Sequence, residues 1–179
     1  MKSAVEQLAT YKSVHLNPTN IKTHFVGIPL IIWAAFVMLN TIPVNFLVLE
    51  DSGFVFNVAG LFAAGVLIYY FKLHAKLAIG LLLFILPVLY SSYLVSRFDE
   101  VWMIAIGVFV VGWVFQLIGH KYEKAKPAFI DDLNQLLIGP FFLMAEVYFM
   151  LGLAAELDKE ITPLAIEKRR VLVKVNNAN

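Results

Sequence analysis

The chain has no cysteine among its 179 residues, which excludes disulfides, zinc–thiolate sites, iron–sulfur clusters and thiol nucleophiles. Charge is scarce as well. Charged residues make up 15%, against roughly 25% in an ordinary soluble domain, and a net charge of +1 leaves no electrostatic footprint for a nucleic-acid partner. There is no glycine-rich phosphate loop to hold a nucleotide and no convincing internal repeat. The polar leader lacks the small-residue cleavage pattern of a signal peptide. What the chain has in place of these is apolar surface, with 60% hydrophobic residues. That balance predicts an integral membrane protein of a single domain, all-α, with residues 1–24 as a leader, 25–153 as a helical bundle and 154–179 as a polar tail.

A helix rising 1.5 Å per residue needs roughly 20 apolar residues to cross a hydrocarbon core of about 30 Å. Four segments approach that length: Phe25 to Leu39, with a continuation toward Leu49 through a kink at Pro43; Phe54 to Phe71; Leu77 to Val95; and Val101 to Ile118. A fifth run, Leu136 to Leu153, carries Pro140 and Glu146. Its composition suggests a broken, interfacial or re-entrant element packed on the others. The bundle therefore has four to five hydrophobic segments.

Lysines near the segment ends set the orientation. Lys2, Lys12, Lys22, Lys72, Lys76, Lys121, Lys124 and Lys126 fall on one side; Arg97 falls on the other, beside Glu50, Asp51, Asp99 and Glu100. The lysine-rich side, holding the N-terminus, is expected to be cytoplasmic, in a bacterial inner membrane or an endoplasmic reticulum membrane.

The chain has four histidines, and three of them sit where apolar segments meet water. His24 opens the first segment, His120 closes the fourth, and His15 lies on the leader within reach of both. Asn17-Pro18-Thr19 is a helix-start signal, with Thr19 the expected cap. A helix beginning there puts Asn20 and His24 on one face, and His120 shares a face with Glu123. Three imidazoles, a carboxylate and a carboxamide thus collect at one membrane edge, and imidazole is the commonest metal ligand among side chains. A single histidine at a helix end is more often an interfacial residue, and His74, between Lys72 and Lys76, is read that way. Glu146 is either functional or paired with a buried donor. Gly60, Gly65, Gly80, Gly107 and Gly112 are expected at close helix contacts. Tryptophans and tyrosines are assigned to interfacial belts and packing.

The pattern His15-x4-Asn20-x3-His24-x2-Gly27-x-Pro29, then Gln116-x2-Gly119-His120-x2-Glu123-x3-Pro127-Ala128, then Pro140-x-Phe142 and Glu146, resembles the membrane-bound 2-hydroxy fatty acid dioxygenase family. Tyr122 stands where that pattern usually has phenylalanine, and the tail after about Leu153 carries no family signature. The resemblance implies Fe(II)-dependent α-oxidation of a long-chain 2-hydroxy fatty acid by dioxygen within the lipid bilayer. It implies His15, His24 and His120 as iron ligands. Glu123 would be a fourth ligand or an acceptor fixing a histidine tautomer, and Asn20 fits the latter role. Lys22, Lys121 or Lys124 would lie near the substrate carboxylate, and Glu146 remains a further candidate. The oxidation closes without a second reductant, since R-CH(OH)-COOH and dioxygen give R-COOH, carbon dioxide and water. Other membrane iron oxidases need more histidines than are present. The alternative is a non-catalytic transporter or scaffold with interfacial metal-binding histidines.

Overall fold

The computed structural model describes residues 2–49, 54–130 and 132–178. Among them the chain is almost wholly helical: α1 Ala4–Lys12, α2 Pro18–Asn40, a hairpin of β1 Asn45–Leu49 and β2 Phe54–Asn57, α3 Val58–Leu73, α4 Ala75–Val95, α5 Val101–Glu123, a 3-10 turn Ala128–Ile130, α6 Gln135–Met150 and α7 Ala155–Ala178.

Short polar residues start the helices. Ser3 Oγ accepts from the Glu6 amide at 3.1 Å, in a Ser-x-x-Glu sequence typical of a capping box. At α2 the cap is Asn17, whose Oδ1 accepts from the Thr19 amide at 2.8 Å. The expected cap, Thr19, lies inside the first turn instead, because Pro18 occupies the first helical position, where its missing N–H is harmless. Asn57 Oδ1 accepts from Gly60 at 3.2 Å to start α3. His74 Nδ1 accepts from Leu77 at 3.4 Å to start α4, so this histidine has a capping role at the turn.

Among the described residues, three helices are long and apolar enough to cross a membrane: α2, α4 and α5. The second expected span is shorter. α3 has 16 residues, about 24 Å of helix, because Phe54–Asn57 pairs with β1 as an antiparallel strand, Leu47 opposite Phe56 and Val48 opposite Val55. Nor does α2 continue through Pro43. It ends at Asn40, since the residue before a proline is pushed out of the helical region, and the β-branched and aromatic stretch beyond forms the hairpin. Glu50 and Asp51, part of the expected acidic side, lie outside the described residues. Of the three readings of the fifth run, broken, interfacial or re-entrant, the broken one is not seen. α6 runs continuously from Gln135 to Met150 with Pro140 inside it.

Packing divides the chain into two compact units, Met1–Phe25 with Phe115–Asn179, and Val26–Val114. In the second, Phe36, Ala59, Ala63 and Val88 form one buried cluster and Val37, Val101 and Ala105 another. A Cβ on Gly112 would meet the Gly27 carbonyl oxygen at 3.0 Å, so α5 and α2 approach closely there. Gly65 and Gly107 are expected at similar contacts, yet a methyl group on either would have no neighbour within 4 Å. A polar chain also runs through this unit: Asn57 Nδ2 donates to Asn40 Oδ1 at 2.7 Å and Asn40 Nδ2 to Ser92 Oγ at 3.1 Å.

In the first unit α1 packs on both α6 and α7, burying Leu8, Ala9, Phe141, Phe142, Ile161 and Ala165. The leader and the tail, which the sequence presents as flanking pieces, are thus core elements of the unit that carries the histidines.

Candidate metal centre

Each histidine of the cluster is held by a different local device. α1 ends at Lys12, and the chain turns so that His15 lies under its last turn. There His15 Nδ1 donates to the Tyr11 carbonyl at 2.7 Å, one of the carbonyls a helix terminus leaves without an intrahelical partner. The Tyr11 ring stacks on the imidazole at 4.1 Å with the planes 3° apart. On α2, His24 Nδ1 donates to the Asn20 carbonyl at 2.9 Å. At the end of α5, Lys124 adopts a left-handed φ of 54°, reversing the chain as a helix-terminating residue does, and His120 Nδ1 donates to the Ala125 carbonyl at 3.2 Å.

The three tautomers follow from these bonds. A carbonyl oxygen only accepts, so each Nδ1 carries the proton and each Nε2 presents a lone pair. The ring centroids are 4.5 to 5.1 Å apart, and one ring nitrogen from each histidine lies within 4.8 Å of the others. His15 Nε2 and His24 Nε2 are 3.0 Å apart. Two lone pairs at that distance repel, whereas two imidazoles bound side by side at about 2.1 Å from one metal ion sit about 3 Å apart. All three side chains are buried, with His15 at 1% exposure. Burial, with His24 close by, holds the His15 imidazole well below its ordinary pKa, so protonation is a poor way to relieve the repulsion. The donor set therefore fits a cation, and the carbonyl bonds are the outer contacts that metal-binding histidines usually make.

Glu123 and Asn20 are brought to this cluster, and their contacts are with its scaffold. Glu123 Oε2 accepts from the Asn17 amide at 2.8 Å and from Asn20 Nδ2 at 3.1 Å. Asn20 Nδ2 also reaches the Val14 carbonyl at 3.3 Å. The pair thus ties the end of α5 to the start of α2 and to the loop carrying His15. Among the described residues, the group able to share a metal ion is the three histidines, without a carboxylate. Glu146 has the buried donor that was one of its two readings: Lys12 Nζ lies 2.9 Å from it and 3.0 Å from Asp158. Lys22, Lys121 and Lys124 are exposed.

Four supporting residues escaped the sequence reading. Tyr11 gave no signal beyond its place one turn before His15. Gly119 was visible in the motif, but its reason was not: a Cβ there would collide with Thr23 Oγ1 and Asn20 Oδ1 and come within 3.2 Å of His24 Nδ1. Lys12 looked like one more interfacial lysine. Arg169, on α7, donates to the Glu123 carbonyl at 2.8 Å and lies 3.6 Å from its carboxylate, a contact made by the tail that carried no signature.

A cluster of three tautomer-locked histidines that could share a metal ion, in a chain with helices long enough to cross a membrane, points to a metal-centre class of helical protein. Comparison with known proteins makes that more specific. Residues 1–151 match the family described as 2-hydroxy-palmitic acid dioxygenase Mpo1-like. The chain is 34% identical over 169 residues to the 2-hydroxy-palmitic acid dioxygenase MPO1 of Saccharomyces cerevisiae, covering 92% of this chain and 91% of that protein. No solved structure matches. The chain belongs to the Mpo1-like family.

Proposed function

We propose that this protein is an Fe(II)-dependent, 2-oxoglutarate-independent dioxygenase that converts long-chain 2-hydroxy fatty acids to the acid one carbon shorter and carbon dioxide. The observation that carries the reading is the convergence of one ring nitrogen from each of three histidines, each ring fixed by an Nδ1 bond to a backbone carbonyl, in a chain whose family is named for that dioxygenase. His15, His24 and His120 would hold the iron. Bound there, Fe(II) supplies dioxygen activation and a Lewis acid for substrate oxygens, since three protein ligands leave positions open.

The chain's own groups do the rest. Tyr11, Asn20 and Ala125 orient the imidazoles through their carbonyls; Glu123 and the Asn20 carboxamide hold the two helix ends in register and act as positioning residues. Phe142, 5.7 Å from the His15 ring, and Tyr11 keep bulk water from that side. The oxidation needs no helper, because the bond between C1 and C2 breaks, C2 ends as a carboxyl group, C1 leaves as carbon dioxide, and the substrate's four electrons reduce dioxygen. The protein sits in the bilayer with its N-terminus and site at the cytoplasmic edge, where an acyl chain gains roughly 0.8 kcal/mol per buried methylene while its head group meets the histidine cluster.

The test uses detergent-purified protein loaded with Fe(II) and given 2-hydroxypalmitate. One dioxygen should be consumed per pentadecanoate formed, with no added reductant. His24→Ala or His120→Ala should lose both iron and turnover; full activity in either sinks the assignment, and metal binding without turnover on any 2-hydroxy acid points to the scaffold or transport reading.

A further inference from the structure

Between Val101 and Ile118, α5 carries one polar side chain apart from its indoles, Gln116. A carboxamide in such a helix is costly wherever the surroundings are apolar. Gln116 is 6% exposed, and its Nε2 is buried without a hydrogen-bond partner. Removing a donor from water without replacing its bond costs about 1–3 kcal/mol, which raises the question of what completes it.

Two other buried polar atoms lack partners, Asn20 Oδ1 and Gln135 Oε1. Both are acceptors. Asn20 Oδ1 packs against Gly119 where α5 crosses α2, and Gln135 already donates through Nε2 to Gln7 at 3.3 Å. Among the described residues Gln116 Nε2 is thus the one unpartnered buried side-chain donor. It lies four residues before His120, on the same face of α5 and about 6 Å further from the helix end. That is the apolar side of the metal centre, the side from which an acyl chain would approach.

We propose that Gln116 is a substrate-binding residue whose Nε2 donates to the carboxylate of a 2-hydroxy fatty acid seated at the histidine cluster. The inference rests on the dioxygenase reading above. A donor serves a carboxylate, which only accepts, and a bond to an ionised acceptor is stronger than one to a neutral hydroxyl. In a buried, low-dielectric setting a head group that pairs with this amide gains more than the same bond would give in water.

The experiment compares wild-type protein with Gln116→Leu and Gln116→Met, all loaded with Fe(II), by iron content, thermal melting, and KM and kcat for 2-hydroxypalmitate followed by dioxygen uptake. The expected result is unchanged iron, unchanged or higher melting temperature because an orphaned donor is gone, and a KM raised about tenfold to a hundredfold with a smaller change in kcat. An unchanged KM in active variants overturns the proposal and assigns the amide to a trapped water. Loss of iron or earlier melting in both variants overturns it in favour of a structural role. If wild-type protein binds iron but oxidises no 2-hydroxy acid, the dioxygenase reading fails and this inference falls with it; turnover in the wild type with an unmoved KM in the variants isolates the failure to Gln116.

Discussion

Replacing Gly119 by alanine adds one methyl group at the point where the end of α5 rests on the start of α2. In an open stretch of helix the change is favourable, since alanine is better than glycine by about 0.8–1 kcal/mol. At Gly119 the new Cβ collides with Thr23 Oγ1 and Asn20 Oδ1 and stands 3.2 Å from His24 Nδ1. Thr23 is held by its bond to the Asn20 carbonyl at 2.8 Å, and Asn20 by Glu123 and Val14, so neither side chain is free to swing away. The helices must separate by about 1 Å, and overpacking of this kind costs about 1–3 kcal/mol. Net stability therefore falls by no more than about 2 kcal/mol. The effect on the site is larger, because His24 is on one helix, His120 on the other, and metal–ligand distances tolerate only about 0.2 Å. Gly107→Ala is the control, as nothing lies within 4 Å of its Cβ. Iron content after dialysis against a weak chelator should drop at least tenfold in Gly119→Ala and stay at the wild-type level in Gly107→Ala, with melting curves confirming that both fold. Wild-type iron retention in Gly119→Ala would refute the view that this glycine sets the spacing of the two histidines.

Arg169→Gln removes a charge-assisted bond to the Glu123 carbonyl and the ion pair to its carboxylate. It should lower stability by about 1.5–3 kcal/mol and weaken iron retention, read by melting and metal content; a neutral outcome would free the site from any dependence on α7. Lys12→Met leaves Glu146 buried without its cation and should destabilise by about 3–5 kcal/mol, with Glu146→Gln in the same chain restoring part of the loss in a double-mutant cycle. Metal-free protein should lose stability as pH falls below about 6.5, the ordinary histidine value from which His15 is depressed. The folded state then binds fewer protons than the unfolded one, so stability rises with pH through this window. Melting temperatures that stay flat between pH 7.5 and 5.5, or that fall equally in His15→Phe, would contradict this.

The legible parts of the sequence were those governed by local rules. Apolar runs gave α4 to within two residues and the start of α5, though α5 runs five residues past the expected Ile118 to Glu123, and Asn17-Pro18 marked the start of α2, because chain length, capping and proline chemistry act over a few positions. The three histidines could be grouped because His24 and His120 stand at segment ends on one side and His15 lies on the leader within reach of both. The β-hairpin was hidden inside an apolar run, where period and composition do not separate a short apolar strand from a helix. Pro140 leaves the fifth run open between a broken, interfacial and re-entrant element for a related reason: a proline's effect depends on whether its surroundings can satisfy the freed carbonyl, and that is tertiary information.

The residues that escaped notice share one property: their role is defined by something distant in sequence. Arg169 meets Glu123 across 46 residues, and Lys12 meets Glu146 across 134. No periodicity encodes such pairs. Yet each explains a residue that the sequence had flagged without a partner. Glu146 was costly in an apolar run and needed a cation. Glu123 was the carboxylate expected beside the histidines, and its bonds to Asn17, Asn20 and Arg169 account for its burial at 3% side-chain exposure. Those bonds suit a positioning role, and among the described residues the group able to share a metal ion is the three histidines. The same reasoning separates Gln116 from the other buried polar groups, because it alone offers a donor for which the described protein supplies no acceptor.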